Sequence, residues 1–337
     1  MKRAAYAILA IAAIELAGYT LFATIAPMWE FDFLTNWGLK AKLFYLHGGI
    51  DWPFLQHAWY RNIHPDYPPL MPLAFDAFAF VRGGWDDRWI GLFYPAIALG
   101  ATLFTFQIAR GEVDDIRAAI IAVIMCPLLA SPRPGLADGW LAVFAFVALL
   151  LIRRGNVTLG AVFLGLGAMT KNEGLTFILA AAIALVVARR TKDVVRLWPA
   201  VVLALPWMVL CRINGVHGDL TSGSVIARVA QHIAHPAGLI EAFRGAPIGK
   251  PLMWTGILVG VVIAIRAQRF LLTAAVVQLA CYFGAYLATP HDLQWHVFWS
   301  WERLVSHVTP LLVYAVLIKL MPIIRREALP APPPKTA

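Results

Sequence analysis

Charge is scarce in this chain. Only 14% of its 337 residues are Asp, Glu, Lys or Arg, against 60% that are hydrophobic. At that ratio a soluble fold lacks the polar surface to cover itself. Cysteine is nearly absent too: Cys126, Cys211 and Cys281 sit singly in apolar runs, odd in number and without metal-ligand spacing. Neither a disulfide framework nor a zinc site is expected from them; buried filler thiols are. The chain also lacks the short alternating segments of a transmembrane β-barrel and any visible internal repeat. No basic stripe or recognition motif accompanies the net charge of +9, which argues against nucleic acid as a partner.

What is there is a succession of apolar runs, about 15–22 residues each, near the length that crosses a bilayer core. They cover 5–27, 89–109, 118–132, 138–152, 157–170, 174–188, 197–212, 251–265, 270–289 and 309–322. The expected fold is all-α: a polytopic helical membrane protein with about ten transmembrane helices, one domain over residues 1–322. The Pro-rich segment 323–337, with "LPAPPPK", reads as a disordered cytoplasmic tail. Lys2 and Arg3 precede an apolar stretch too long for a signal peptide and without a clear cleavage site, so 5–27 reads as the first span.

One stretch decides the topology. Residues 70–81, "LMPLAFDAFAFV", are apolar but short, hold Asp76 and follow Pro68 and Pro69. If they do not span, a cytoplasmic N-terminus puts fourteen basic residues beyond position 90 inside. They fall at 110, 117, 153, 154, 189, 190, 192, 196, 266, 269, 319, 325, 326 and 335. Seven fall outside, at 133, 171, 212, 228, 244, 250 and 303. The flipped arrangement reverses this ratio against the positive-inside tendency. The 70–81 segment is therefore expected to be an interfacial or re-entrant helix, within a long first extracytoplasmic loop (28–88).

This orientation gathers nearly all the histidines, paired acids and loop tryptophans on one face, the outer one. Glu30 and Asp32 follow the first span; solvated acids, or partners for Lys40 and Lys42, are the plain alternative. His64, Asp66 and Tyr67 precede a Pro-Pro break that keeps the backbone extended, or else anchor the interface. Arg133 and Asp138 top a helical hairpin, where a plain helix cap is the alternative role for Asp138. Lys171, Asn172 and Glu173 interrupt two apolar runs. Asp292, His296, Arg303 and His307 lie among tryptophans, which an aromatic belt explains; it does not explain an arginine and an acid together at a helix mouth.

Five of these segments carry a resemblance. "DFLTNWGLKAK" (32–42) resembles the D-x-W-x-x-W-x-x-K-A-[RK] start of the first periplasmic loop in bacterial members of the GT-C glycosyltransferase superfamily, the group of protein mannosyltransferases and the aminoarabinose transferase of lipid A; Leu34 stands where that pattern has tryptophan. "HPDYPPLMP" (64–72) is similar to H-x-D-Y-P-L-L-x-P, and "ADGW" (137–140) to the acidic second outer loop. "GLGAMTKNEGL" (165–175) is similar to G-x-x-x-x-T-K-N-E-G, and "DLQWHVFWSWERL" (292–304) to D-L-x-W-H-x-x-x-S-x-x-R-L. The motifs run in family order over almost the whole chain.

The resemblance implies an inverting, lipid-phosphate-sugar-dependent transferase (hexosyl or pentosyl) in the bacterial inner membrane, its active site facing the periplasm. It would move a sugar from a polyprenyl-phosphate carrier to a hydroxyl on a glycan, lipid or protein. Asp32 would be the general base. Arg303, Lys171 and Arg133 would meet the donor phosphate. Glu30, Lys40, His64, Asp66, Tyr67, Asp138, Glu173, Asp292 and His296 would contact sugar or acceptor. Superfamily members differ on divalent metal, so cofactor use stays open, with no organic cofactor implied. The rival is a transporter or flippase of lipid-linked sugars, which calls for charges buried mid-helix and related halves.

Overall fold

The computed structural model describes residues 2–131, 133–218, 223–246 and 251–321, so the 323–337 tail lies outside the described residues. Seventeen α-helices and no strand occur among them: α1 (Lys2–Thr24), α2 (Gly38–His47), α3 (Trp52–Gln56), α4 (Leu70–Arg82), α5 (Asp87–Ile90), α6 (Phe93–Arg110), α7 (Asp115–Leu129), α8 (Asp138–Arg153), α9 (Val157–Thr170), α10 (Glu173–Val187), α11 (Trp198–Ile213), α12 (Val225–Ala234), α13 (Pro236–Arg244), α14 (Pro251–Ala264), α15 (Arg269–Ala288), α16 (Leu293–Ser306) and α17 (Thr309–Leu320).

Each of the ten apolar runs carries a helix. Five helical stretches are long and apolar enough to cross a membrane: Lys2–Thr24, Asp87–Arg110, Thr191–Ile213, Arg269–Ala288 and Leu293–Leu320. The last joins α16 to α17 almost without a break. The sequence reading counted only 309–322 of this stretch as a span; instead His307 and Val308 keep helical dihedrals, and Pro310 falls in the first turn of α17, where a missing N–H costs nothing. Helix α7 stops at Leu129, short of its apolar run. Pro127 removes a backbone bond in the last turn, and Ala130 is already extended. Helix α4 is the 70–81 segment; thirteen residues span roughly 20 Å, well below a 30 Å hydrocarbon core.

The centre of the molecule is α8. Nearly every residue from Asp138 to Ile152 is buried, which marks a helix apolar on all sides and wrapped by neighbours. Phe106, Met125, Leu164, Phe177, Leu271 and Tyr314, from six different helices, belong to the core around it. Because α8 runs through this core, its two ends carry two ionic clusters, a buried one around Asp138 and a partly buried one around Glu112, about 22 Å apart by helix rise.

Candidate active site

After α1 the chain enters a single π-helical turn, Phe33–Trp37, with Asp32 just before it. Such turns widen the helix and recur at functional sites. The loop before α8 closes down on this segment at Gly135, whose φ is 108°. A Cβ there would lie 2.9 Å from the Phe33 Cβ and 3.2 Å from the Glu30 Cβ, so the approach needs glycine twice over. The closure pairs Glu30 with Arg133: Nε and Nη2 donate to the two carboxylate oxygens at 2.8 Å each. Arg133 is therefore held by Glu30 rather than standing free for a phosphate.

Asp138 is the first residue of α8, and its side chain caps nothing. It is the hub of a network instead. Oδ1 accepts from Lys171 Nζ at 3.0 Å and lies 2.8 Å from His307 Nε2; Oδ2 accepts from Arg303 Nε at 3.1 Å and Nη2 at 2.8 Å. Arg303 Nη2 also donates to Asp32 Oδ2 at 2.6 Å. One guanidinium thus joins two carboxylates of very different exposure: the Asp138 side chain is 7% exposed, that of Asp32 28%. Charge-assisted bonds of this kind are short and strong.

Lys171 reaches Asp138 because α9 ends on it. Its backbone is extended (φ −154°, ψ 146°), and α10 restarts at Glu173. The reversal is tight enough that a Cβ on Gly174 would sit 2.4 Å from the backbone of Gly167. Lys171 Nζ also pairs with Glu173 Oε1 at 2.9 Å. Burial works against its ammonium, but Asp138 and Glu173 outweigh burial and hold its pKa above the usual lysine value. Glu173 Oε2 is buried and accepts no hydrogen bond.

Contacts from Asp66 and Trp207 brace the turn. Asn172 Nδ2 donates to Asp66 Oδ2 at 2.9 Å, and Trp207 Nε1 donates to the Asp66 carbonyl at 2.7 Å. His64 adopts a left-handed backbone (φ 52°) and stacks on Tyr67, which stacks in turn on Trp37. Beneath them Lys40 is fully buried and donates to the carbonyls of His64 at 2.8 Å and Tyr67 at 3.4 Å. Burial lowers its pKa to about 7, although nearby Asp66 acts in the opposite sense.

Asp32, Asp138, Lys171 and Arg303 therefore converge, as the sequence led us to expect, with Glu173 beside Lys171; His64, expected in the same cavity, stacks on Tyr67 instead. His64, Asp66, Tyr67 and Lys40 form the adjoining support. Asp292 and His296 do not join the network. Asp292 caps α16 through the Trp295 N–H at 2.8 Å, and His296 Nδ1 meets Thr289 Oγ1 at 2.7 Å; Asp292 lies about 16 Å up the helix from Arg303. The site set drawn from sequence omits His307, fully buried, whose Nδ1 lies 2.6 Å from the Tyr282 hydroxyl. Its spacing was the available signal: His307 is four residues after Arg303, hence on the same helix face. Asn172 and Trp207 were also overlooked.

Among the described residues no group of three or more His, Cys, Asp or Glu side chains is arranged to hold a metal. Two grooves lie elsewhere on the molecule, neither lined by a residue of the network. One, of about 580 Å³, lies between α13 and α16 and includes Glu241, Arg244, Asp292, Trp295 and Trp299. The other, of about 380 Å³, is wholly apolar and runs between α10 and α11, from Leu175 to Ala182 on one side and Val201 to Met208 on the other. No family model, curated protein or solved structure matches this chain.

Proposed function

We propose that this chain is a GT-C-like membrane glycosyltransferase, with ten spans and its site on the periplasmic face of a bacterial inner membrane. It transfers a sugar from a polyprenyl-phosphate carrier to an acceptor hydroxyl. The observation that carries this reading is the Asp138–Arg303–Asp32 chain. It ends in a half-exposed carboxylate, with a buried lysine beside it, at the end of a helical bundle. The five motif resemblances support it. In this reading the lipid tail lies along the apolar groove between α10 and α11, which begins at Leu175 in the first turn of α10, the same end of that helix as the Lys171 turn.

In this reading Asp138 is not a base, since all its strong acceptor positions are taken; it positions Arg303 and Lys171. The donor phosphate competes with Asp32 for the Arg303 guanidinium. Once the phosphate holds Arg303, Asp32 Oδ2 is released to accept the proton of the attacking hydroxyl. The acceptor oxygen bonds to the anomeric carbon from the face opposite the phosphate, and the bond from that carbon to the phosphate oxygen breaks. The departing phosphate keeps the electron pair, with Arg303 and Lys171 meeting its charge.

The test is transfer by purified protein given lipid-linked sugar and cell-envelope acceptor. Asp32→Asn is expected to stay folded and lower turnover roughly 10²–10⁴-fold, the usual contribution of a positioned base. Near-normal turnover of that variant would remove Asp32 from its role. Movement of lipid-linked sugar across vesicles by the wild type, without transfer, would favour the flippase.

A further inference from the structure

Helix α1 meets the rest of the molecule along a narrow stripe. Only Ala5, Ala12, Leu16 and Ala23 are buried, and Ala12 and Leu16 pack on Ala98 of α6 and Cys126 of α7. The remaining face is bare: Ile11, Ile14, Leu21 and Phe22 are all about half exposed or more. In a lipid environment that is ordinary for apolar side chains. It is not ordinary for Glu15, which is exposed on the same helix. By helix rise Glu15 lies about 20 Å from Lys2 and about 14 Å from Thr24, near the middle of a 30 Å core. Ionisable residues at that depth normally face a bundle interior and pair there. Glu15 has no ion pair among the described residues; its hydrogen-bonding neighbour is the Cys126 thiol, a weak partner.

Three further residues share its face at helical spacing: Ile11, Gly18 and Phe22, four before, three after and seven after, all exposed. Gly18 is not demanded by the chain's own packing, because a Cβ there would meet nothing within 4 Å. Small residues on a lipid-facing helix let a second backbone approach closely. A second copy of this chain cannot satisfy the carboxylate. Arg110, Arg153, Arg212, Arg269 and Lys319 stand at helix ends, Arg303 is already held by Asp32 and Asp138, and two copies of Glu15 would set like charges together. We propose that the Ile11–Glu15–Gly18–Phe22 stripe is the docking face for one transmembrane helix of a different membrane protein, a helix with a lysine or arginine at mid-depth that pairs with Glu15. This surface is independent of the transfer chemistry.

The full-length protein, carrying a fluorescence donor, is reconstituted in phosphatidylcholine–phosphatidylglycerol vesicles with a synthetic Leu/Ala transmembrane peptide of about 22 residues. Resonance energy transfer is compared for a peptide with one central lysine and the same peptide with leucine there. The lysine peptide should associate about threefold to thirtyfold more strongly, the range of polar contacts between membrane helices. Glu15→Leu should erase the difference, and Gly18→Val should weaken association with both peptides. Equal association of the two peptides, or an undiminished preference in Glu15→Leu, overturns the proposal. A photocrosslinker at position 18 in native membranes gives an independent reading. An adduct with a helix bearing a mid-depth Lys or Arg supports it; adducts with lipid alone or with a second copy overturn it.

Discussion

Helix α8 ends in two ionic clusters, and they are built differently. At its C-terminal end, Glu112 receives both nitrogens of a bidentate Arg153 guanidinium, Arg154 at 3.0 Å and the Tyr314 hydroxyl at 3.0 Å. Arg154 and Arg190 close the remaining gaps by donating to the carbonyls of Ile108 and Ile152. This cluster is closed: one acid, fully satisfied, ties the α6–α7 turn to α8 and α17. At the N-terminal end, Asp138 is just as well satisfied, but its partner Arg303 reaches on to Asp32, which looks outward, and Lys171 reaches on to Glu173, whose second oxygen has no bond. The difference teaches that burial and pairing do not by themselves mark a site. What marks it is a network whose edge is left open to something arriving from outside.

That comparison can be broken. Removing the shared guanidinium, Arg303→Ala, should cut transfer by roughly 10²–10³-fold, the usual cost of losing one donor aimed at developing charge. Arg153→Ala at the closed end should leave turnover per folded molecule unchanged. Similar losses from both, measured with equal folded fractions, would erase the distinction between the clusters.

A smaller effect sharpens the same contrast. Asp138→Asn leaves Lys171 and Arg303 buried beside a neutral group, and breaking a buried pair from one side costs roughly 3–5 kcal/mol. Glu112→Gln should cost less, because its side chain is nearly twice as exposed, at 13% against 7%. Thermal unfolding in detergent would rank them; a larger loss from Glu112→Gln would make the closed cluster the main clamp.

Much of this was legible in the sequence. The helices followed from apolar runs, and the hairpin at Lys171 followed from a charged interruption between two of them. The convergence of Asp32, Asp138, Lys171 and Arg303 followed from motif order and a common face. What was not legible depended on partners supplied by the fold. Arg133 reads as a phosphate ligand until Gly135 brings Glu30 onto it. Asp292 and His296 lie in the same motif as Arg303, yet a rigid helix carries them about three and two turns away. Helices α12 and α13 fall between the apolar runs; each is short and amphipathic, so its signal was a helical periodicity that a search for long apolar runs passes over. Glu15 is a single acid in a long apolar run, too little to change the assignment of a span.

The smallest expected effect concerns Lys40, which belongs to neither cluster. Its folded pKa of about 7 lies below the unfolded value, so between pH 7 and about 10.4 the unfolded chain binds more protons and stability rises with pH. Below pH 7 both states are protonated and the folded state bears the full cost of the buried charge. Lys40→Met should flatten this slope in unfolding measured across pH 6–10; an unchanged slope would assign it to other groups.

The Gly167–Gly174 contact sets a manufacturing tolerance for the whole site. At 2.4 Å there is no room for even one methyl group. Seating one would force α9 and α10 apart at their shared end, and three attachments leave from those few residues: Lys171 to Asp138, Asn172 to Asp66, and the Glu173 carbonyl to Gln278. A displacement too small to alter the outline of the bundle would misalign all three together, so the alignment of this face hangs on the absence of a single carbon atom.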